Sequence, residues 1–133
     1  MQGLDKTGAL VGRILIAAIF ILSGATKLGH AAGMAGYMAA HHIPGSMAEF
    51  LVYVAGIIEL AGGLMLVFGF RARIAAIVLF LYLIPVTILF HIMPGGMMNQ
   101  VNTMKNLAIM GGLLMVASMG PGAFSMDVMR GRS

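Results

Sequence analysis

Glu59 is the only charged residue in the long apolar run Leu51–Phe70 and stands near its middle. A helical run of this length crosses a hydrocarbon core of about 30 Å. A carboxylate at the centre of a bilayer costs roughly 2.5–3.5 kcal/mol on insertion scales. Glu59 therefore needs a partner, a proton or a function, and its chemistry would be proton transfer or hydrogen bonding to a ligand.

Arg13 is the charge whose depth matches that of Glu59. Helical rise places Arg13 roughly 21 Å from Lys27, and places Glu59 roughly 18 Å from Met47 at the matching end of the next helix. We predict that Arg13 and Glu59 form a buried ion pair, because a neutral pair is cheaper to bury than either ion. Two interpretations stay open: the pair fixes helix register, or Glu59 carries protons or binds a ligand.

A second polar group is expected near the outer ends of the helices, above an apolar interior. Its members are Lys27, His91, Asn102, Lys105 and Asn106. His91 would titrate near neutral pH, whereas the two lysines could simply extend to the membrane interface. A quinone suits such a pocket, because its carbonyl oxygens accept hydrogen bonds and its tail needs an apolar groove. Quinone is therefore the candidate cofactor.

Methionine and histidine residues also occur together near the outer ends of the predicted helices. Thioether and imidazole ligands suit Cu(I), but a helix lying in the membrane interface produces the same pattern without a metal. We assign no metal site, and a metal or small-solute binding function is the least favoured hypothesis. If this side bound a metal, the candidate ligands would be His30, Met34, His41, His42 and Met97.

The composition indicates an integral membrane protein. Hydrophobic residues make up 60% and charged residues 9% of the 133 residues, against about 25% charged in soluble domains. The positive charges do not cluster as a nucleic-acid footprint requires, so the expected partner is the lipid bilayer. The chain has no Cys, which excludes dithiol chemistry and thiolate metal sites.

The apolar runs predict an all-α membrane protein, an antiparallel four-helix transmembrane bundle with a short interfacial helix between helices 1 and 2. The chain forms one transmembrane domain, residues 1–133, with spans at about 9–28, 47–70, 74–90 and 105–119. Gly8 and Gly12 form a small-xxx-small pair that could support a homo-oligomer.

The distribution of Lys and Arg predicts the orientation of the bundle. Most of these residues fall at the end that holds both termini, and Lys27 and Lys105 fall at the other. By the positive-inside rule, both termini are cytoplasmic and the protein lies in the cell (inner) membrane. The residues at the terminal end are Lys6, Arg13, Arg71, Arg73, Arg130 and Arg132.

An ordered series of short motifs extends along nearly the whole chain and resembles the DoxX family of small membrane proteins. The motifs are Gly12-Arg13, Phe20, Ser23-Gly24 and Lys27-Leu28, then Glu59-Leu60-Ala61-Gly62-Gly63 and Gly69-Phe70-Arg71, then His91, Lys105-Asn106-Leu107-Ala108, Gly120-Pro121-Gly122 and Ser125-Met126-Asp127.

The resemblance implies a four-helix membrane bundle linked to redox enzymes. DoxD-type relatives belong to a thiosulfate:quinone oxidoreductase, and some DoxX proteins look like membrane subunits that gather soluble oxidative-stress partners. Thiol-based sulfur transfer is impossible here because the chain has no Cys. The hypotheses are thus a quinone-linked redox subunit or a non-catalytic scaffold or assembly factor. The sequence contains no independent catalytic motif, and it therefore does not decide whether the chain is an enzyme.

Overall fold

The computed structural model describes residues 2–30, 45–89 and 96–131, and every regular element in these ranges is helical. The prediction of an all-α protein is therefore confirmed for the described residues. The predicted interfacial helix lies largely outside them. The helices are α1 (Gln2–Gly29), α2 (Gly45–Phe68), α3 (Ala72–Thr87), α4 (Met97–Met119) and the short α5 (Met126–Met129).

The helix boundaries differ from the predicted spans for local reasons. Helix α2 ends at Phe68 because Gly69 has a φ of +66°, which favours glycine. The amide of Phe70 then donates to the Met65 carbonyl at 2.9 Å and closes the last turn. Helix α4 begins at Met97, well before the predicted start at Lys105, so the polar residues 99–105 are helical rather than a loop.

Among the described residues, two helices are long and apolar enough to cross a membrane: Gly3–Gly29 within α1 and Glu49–Phe68 within α2. Helix α3 is apolar but shorter, so the four-span bundle stays a prediction. Large apolar side chains point outward, including Leu15 (69% exposed), Leu22 (71%) and Phe50 (66%). A contiguous apolar exterior of this kind is typical of a surface covered by lipid rather than water.

The helices pack as two pairs, α1 with α2 and α3 with α4, joined mainly through α2 and α3. Helices α1 and α4 touch at few positions. The buried core is small and rich in alanine, which lets the helices approach closely. Its members are Ala17, Phe20, Leu66, Ala72, Ala75, Ala76, Leu79, Leu83 and Leu113.

Small residues bring α1 and α2 together. A Cβ added to Gly24 would lie 2.6 Å from the amide nitrogen of Leu60 and 2.8 Å from the carbonyl oxygen of Gly56. A Cβ added to Gly63 would lie 3.3 Å from the Ala17 carbonyl oxygen. These contacts are with backbone atoms, which cannot move aside cheaply. They therefore fix the register of α1 against α2.

One end of the bundle, which we call the cap end, carries the α2–α3 turn and the segment 120–131. Asp127 accepts hydrogen bonds from the amides of Arg71 (2.6 Å) and Ala72 (2.8 Å). A carboxylate at a helix N-terminus satisfies free amides and complements the helix dipole. Arg73 donates to the carbonyls of Ala117 (3.0 Å) and Ser118 (2.8 Å) at the end of α4. Charged side chains at this end thus act as helix caps.

We predict that Gly24→Ala destabilises the protein by about 1–3 kcal/mol, because the new methyl group collides with the α2 backbone. Gly111→Ala is the matched control, since its Cβ would meet no atom within 4 Å. Removing a helical glycine there should stabilise the fold by up to about 1 kcal/mol. Unfolding in detergent measures both changes. Equal effects at the two positions would contradict the packing described above.

Candidate functional site

Three helices contribute to a partly buried polar cluster around Glu59, which we call the Glu59 cluster: Ser23, Lys27, Glu59 and Tyr82. The Lys27 ammonium lies 3.0 Å from Glu59 Oε2 and 3.2 Å from Oε1. The Tyr82 hydroxyl donates to Glu59 Oε1 at 2.9 Å. Lys27 also donates to Ser23 Oγ, one turn earlier on α1, at 2.7 Å. Ammonium and phenol thus compensate the carboxylate that the sequence places in an apolar run.

The cluster lies deep in the bundle but is reachable from one side. Glu59 is about 14 Å from the end of α2 at Phe68, close to half of a hydrocarbon core. Its side chain is 7% exposed, whereas the Lys27 side chain is 23% exposed. Lys27 is therefore the member of the ion pair that a ligand would meet first.

The structure does not pair Arg13 with Glu59. The Nη1 atom of Arg13 donates to the carbonyls of Leu66 (2.7 Å) and Val67 (3.2 Å), and Nη2 donates to the Phe124 carbonyl. Arg13 therefore caps the end of α2 and fastens the segment after α4 to it. Glu59 takes Lys27 instead, so the two charges have separate partners.

Arg13 and Glu59 do not meet because the register of α1 against α2 differs from the predicted one. Matching depths required Lys27 and Met47 to lie at one level, which would put Gly24 opposite Phe50, but Gly24 lies between Gly56 and Leu60. The two helices are shifted by about eight residues relative to the expectation, or roughly 12 Å. The sequence carried a signal for this: Ala17 and Gly24 have the same spacing as Gly56 and Gly63, which they meet in antiparallel order.

The predicted outer pocket is not formed as one group by the residues that the structure describes. Asn106 is buried and donates to Thr87 Oγ1 at 3.0 Å, joining α4 to α3. Lys105 is exposed, Asn102 is half-buried, and Lys27 belongs to the Glu59 cluster. His91 lies outside the described residues. Sequence reasoning missed Tyr82 and Thr87, whose only signal was a polar group within an apolar helix.

The metal candidates are only partly described. His30 and Met97 are exposed at the ends of α1 and α4, whereas Met34, His41 and His42 lie outside the described residues. Among residues 2–30, 45–89 and 96–131, no group of three or more His, Cys, Asp or Glu side chains could hold a metal ion. The described part of the chain therefore adds no support to a metal function.

The Glu59 cluster joins three side chains with exchangeable protons through direct hydrogen bonds. Carboxylate, ammonium and phenol groups are all able to gain or lose a proton, and their hydrogen bonds connect them directly. In a low-dielectric interior, such a network responds strongly to any charge placed beside it. Ionisable residues inside a membrane commonly mark proton or ligand paths.

Comparison with known proteins gives a consistent result. A model of the DoxX family matches residues 8–92. Inner membrane protein YqjF of Escherichia coli (strain K12) is 38% identical over 127 residues, covering 96% of this chain and 95% of the relative. Inner membrane protein YphA of the same organism is 32% identical over 123 residues, covering 89% and 86%. No solved structure shows a significant match.

A double-mutant cycle tests the ion pair. We expect Lys27→Met and Glu59→Gln each to destabilise the protein, since each leaves a buried partner uncompensated. The coupling free energy between them should be about 1–3 kcal/mol. The matched cycle of Lys105→Met with Glu59→Gln should give less than about 0.5 kcal/mol, because Lys105 is exposed on α4. Equilibrium unfolding in detergent measures both, and equal couplings would reject the pair.

Proposed function

The chain belongs to the DoxX family of integral membrane proteins, and on this basis we propose that it is a membrane subunit of a quinone-linked redox system. In this proposal, the Glu59 cluster supplies protons to a quinone, and a partner redox protein, soluble or membrane-bound, supplies electrons. The proposal places the chain in the inner membrane, in agreement with the names of its relatives, which are inner membrane proteins. It would span the membrane four times as one domain.

The observation that carries the proposal is the Lys27–Glu59–Tyr82 network, in which Glu59 lies near the middle of α2. Reduction of a quinone to a quinol takes up electrons and protons in equal number. In this proposal, the Lys27 ammonium turns one N–H, or the Tyr82 hydroxyl its single O–H, from Glu59 to a quinone carbonyl. Each proton given to the reduced quinone is replaced on the donor by Glu59, which takes up its own proton from the aqueous side. The partial exposure of Lys27 gives the quinone ring a place to approach.

A second candidate is a non-catalytic scaffold or assembly factor. It is favoured by the observation that Glu59 is already compensated by Lys27 and Tyr82, as expected of a purely structural pair. The docking surface would be the cap end, where Lys6, Arg71 and Arg130 are exposed. Arg130 lies 5.2 Å from the centre of the Phe70 ring, which holds the end of the chain against the α2–α3 turn.

Mass spectrometry of organic extracts from detergent-purified protein tests the first candidate. We expect about one quinone per chain in the wild type and a loss of several-fold or more in Glu59→Gln. Glu49→Gln is the matched control, since Glu49 is an exposed carboxylate on the same helix, and it should retain quinone.

The outcomes separate the two candidates. Quinone retained equally by Glu59→Gln and Glu49→Gln would reject a role for the Glu59 cluster. Phospholipid without quinone in every sample would favour the scaffold, and partners captured through the basic residues of the cap end would then identify its role. Loss of folding in Glu59→Gln is recognised by a lowered melting temperature in the same preparation.

Cysteine labelling tests the proposed orientation, and the natural absence of Cys gives a clean background. Met97→Cys and Met129→Cys replace exposed residues, 83% and 85% accessible, at the two ends of the bundle. With both termini cytoplasmic, a membrane-impermeant maleimide added to intact cells should label Met97→Cys and spare Met129→Cys. Disrupted cells should label both, and the reverse pattern in intact cells would invert the topology.

A further inference from the structure

A groove of about 380 Å³ runs between α1 and α4 toward the cap end. Its volume falls within the usual range of ligand sites, about 300–1,000 Å³. It exists because α1 and α4 touch at few positions, and glycines leave the space between them unfilled. The groove is lined by residues that include Gly8, Gly12, Ile16, Gly112, Met115 and Met119.

The sides of the groove lead to surfaces that face lipid in a membrane-embedded bundle. Leu15 on α1 and Leu114 on α4 are both exposed, and these helices carry no exposed charge at this level. A Cβ at Gly12 would meet no atom within 4 Å, so the space there is open. A ligand that enters the groove from its side therefore comes from the bilayer and needs an apolar chain.

Arg13 adds a polar requirement to this apolar groove. It lines the groove and is only 2% exposed. Its terminal nitrogens are satisfied by carbonyls, but Nε has no hydrogen-bond partner among the residues that the structure describes. The one ion pair formed within these residues joins Lys27 and Glu59, so no carboxylate contacts Arg13 directly. A buried cation with a free donor favours a ligand oxygen.

We propose that this groove binds one acyl chain of a glycerophospholipid, whose ester carbonyl oxygen accepts a hydrogen bond from Arg13. The chain extends toward Ile16 and Gly112, and the headgroup lies toward the cap end. Asp5 and Lys6 are exposed beyond Gly8 on α1 and offer both signs of charge, which complements a zwitterionic headgroup. The proposal is independent of the quinone, since Arg13 and Lys27 are roughly 21 Å apart along α1.

Native mass spectrometry of the full, delipidated chain, titrated with phosphatidylethanolamine, tests the groove. Gly12→Leu places a side chain in the open space without meeting protein atoms at its Cβ, and should weaken binding of the first lipid by about tenfold or more. Gly111→Leu is the matched control, because Gly111 is also a helical glycine with open space around it but does not line the groove. It should bind as the wild type does.

The role of Arg13 is tested by changing the lipid and leaving the protein unchanged, so that Arg13 continues to cap α2. A dialkyl ether analogue keeps the chains and the headgroup but lacks the ester carbonyl oxygen. Loss of a hydrogen bond to a charged donor should weaken its binding to the wild type by about tenfold. In Gly12→Leu, ester and ether lipids should bind alike, because neither reaches Arg13.

Several results would overturn the proposal. Equal lipid binding by the wild type, Gly12→Leu and Gly111→Leu would show only non-specific lipid on the outer surface. A lipid-free dimer in the wild type that Gly12→Leu removes would show that a second copy fills the groove. Equal affinity of the wild type for ester and ether lipids would show that Arg13 does not bind the lipid. Absence of lipid binding by the wild type would reject the site altogether.

Discussion

Gly24 of α1 lies so close to α2 that any added side chain would collide with the backbone of Gly56 and Leu60. This contact, repeated between Ala17 and Gly63, leaves little freedom for the two helices to slide. Because it fixes their register, it also selects the partner of each interior charge: Lys27 reaches Glu59, and Arg13 reaches the end of α2. A shift of one or two turns would leave these charges unpaired in an apolar interior, at a cost of several kcal/mol.

The interior charges have different tasks at different depths. At the cap end, Arg13, Arg73 and Asp127 bind backbone groups that the helices cannot satisfy themselves, and each sign of charge suits the helix dipole it faces. Deeper in the bundle, Lys27, Glu59 and Tyr82 bind one another. Backbone caps hold the fold in place, whereas the network of ionisable side chains is the part to which we assign chemistry in our proposal. This division is why the proposed redox role rests on Glu59 and not on the equally buried Asp127.

The loose contact between α1 and α4 is the counterpart of the tight contact between α1 and α2. Glycines allow close approach where another helix meets them, as at Gly24, and leave open space where none does, as at Gly12. The same residue type thus builds the tightest interface and the groove beside Arg13. Two separate polar features lie on opposite halves of α1: Lys27, which is partly exposed, and Arg13, which is buried beside the groove. The proposed proton transfer and the proposed lipid binding therefore involve different parts of one small protein.

The sequence by itself determined that the chain is an all-helical membrane protein, because 9% charged residues cannot cover a water-facing surface and the apolar runs have helical, membrane-crossing lengths. It also identified Glu59, Arg13 and Lys27 as residues that need explanation, since burying a charge is costly wherever the helices lie. Their partners were decided only by the tertiary structure. Depth counted from the helix ends assumes that the ends are level, whereas backbone contact at Gly24 and Gly63 shifts α2 along α1. Tyr82, Thr87 and the capping role of Asp127 likewise became visible only when α3 and α4 were packed in place, because a hydrogen bond depends on distances that residue order does not contain.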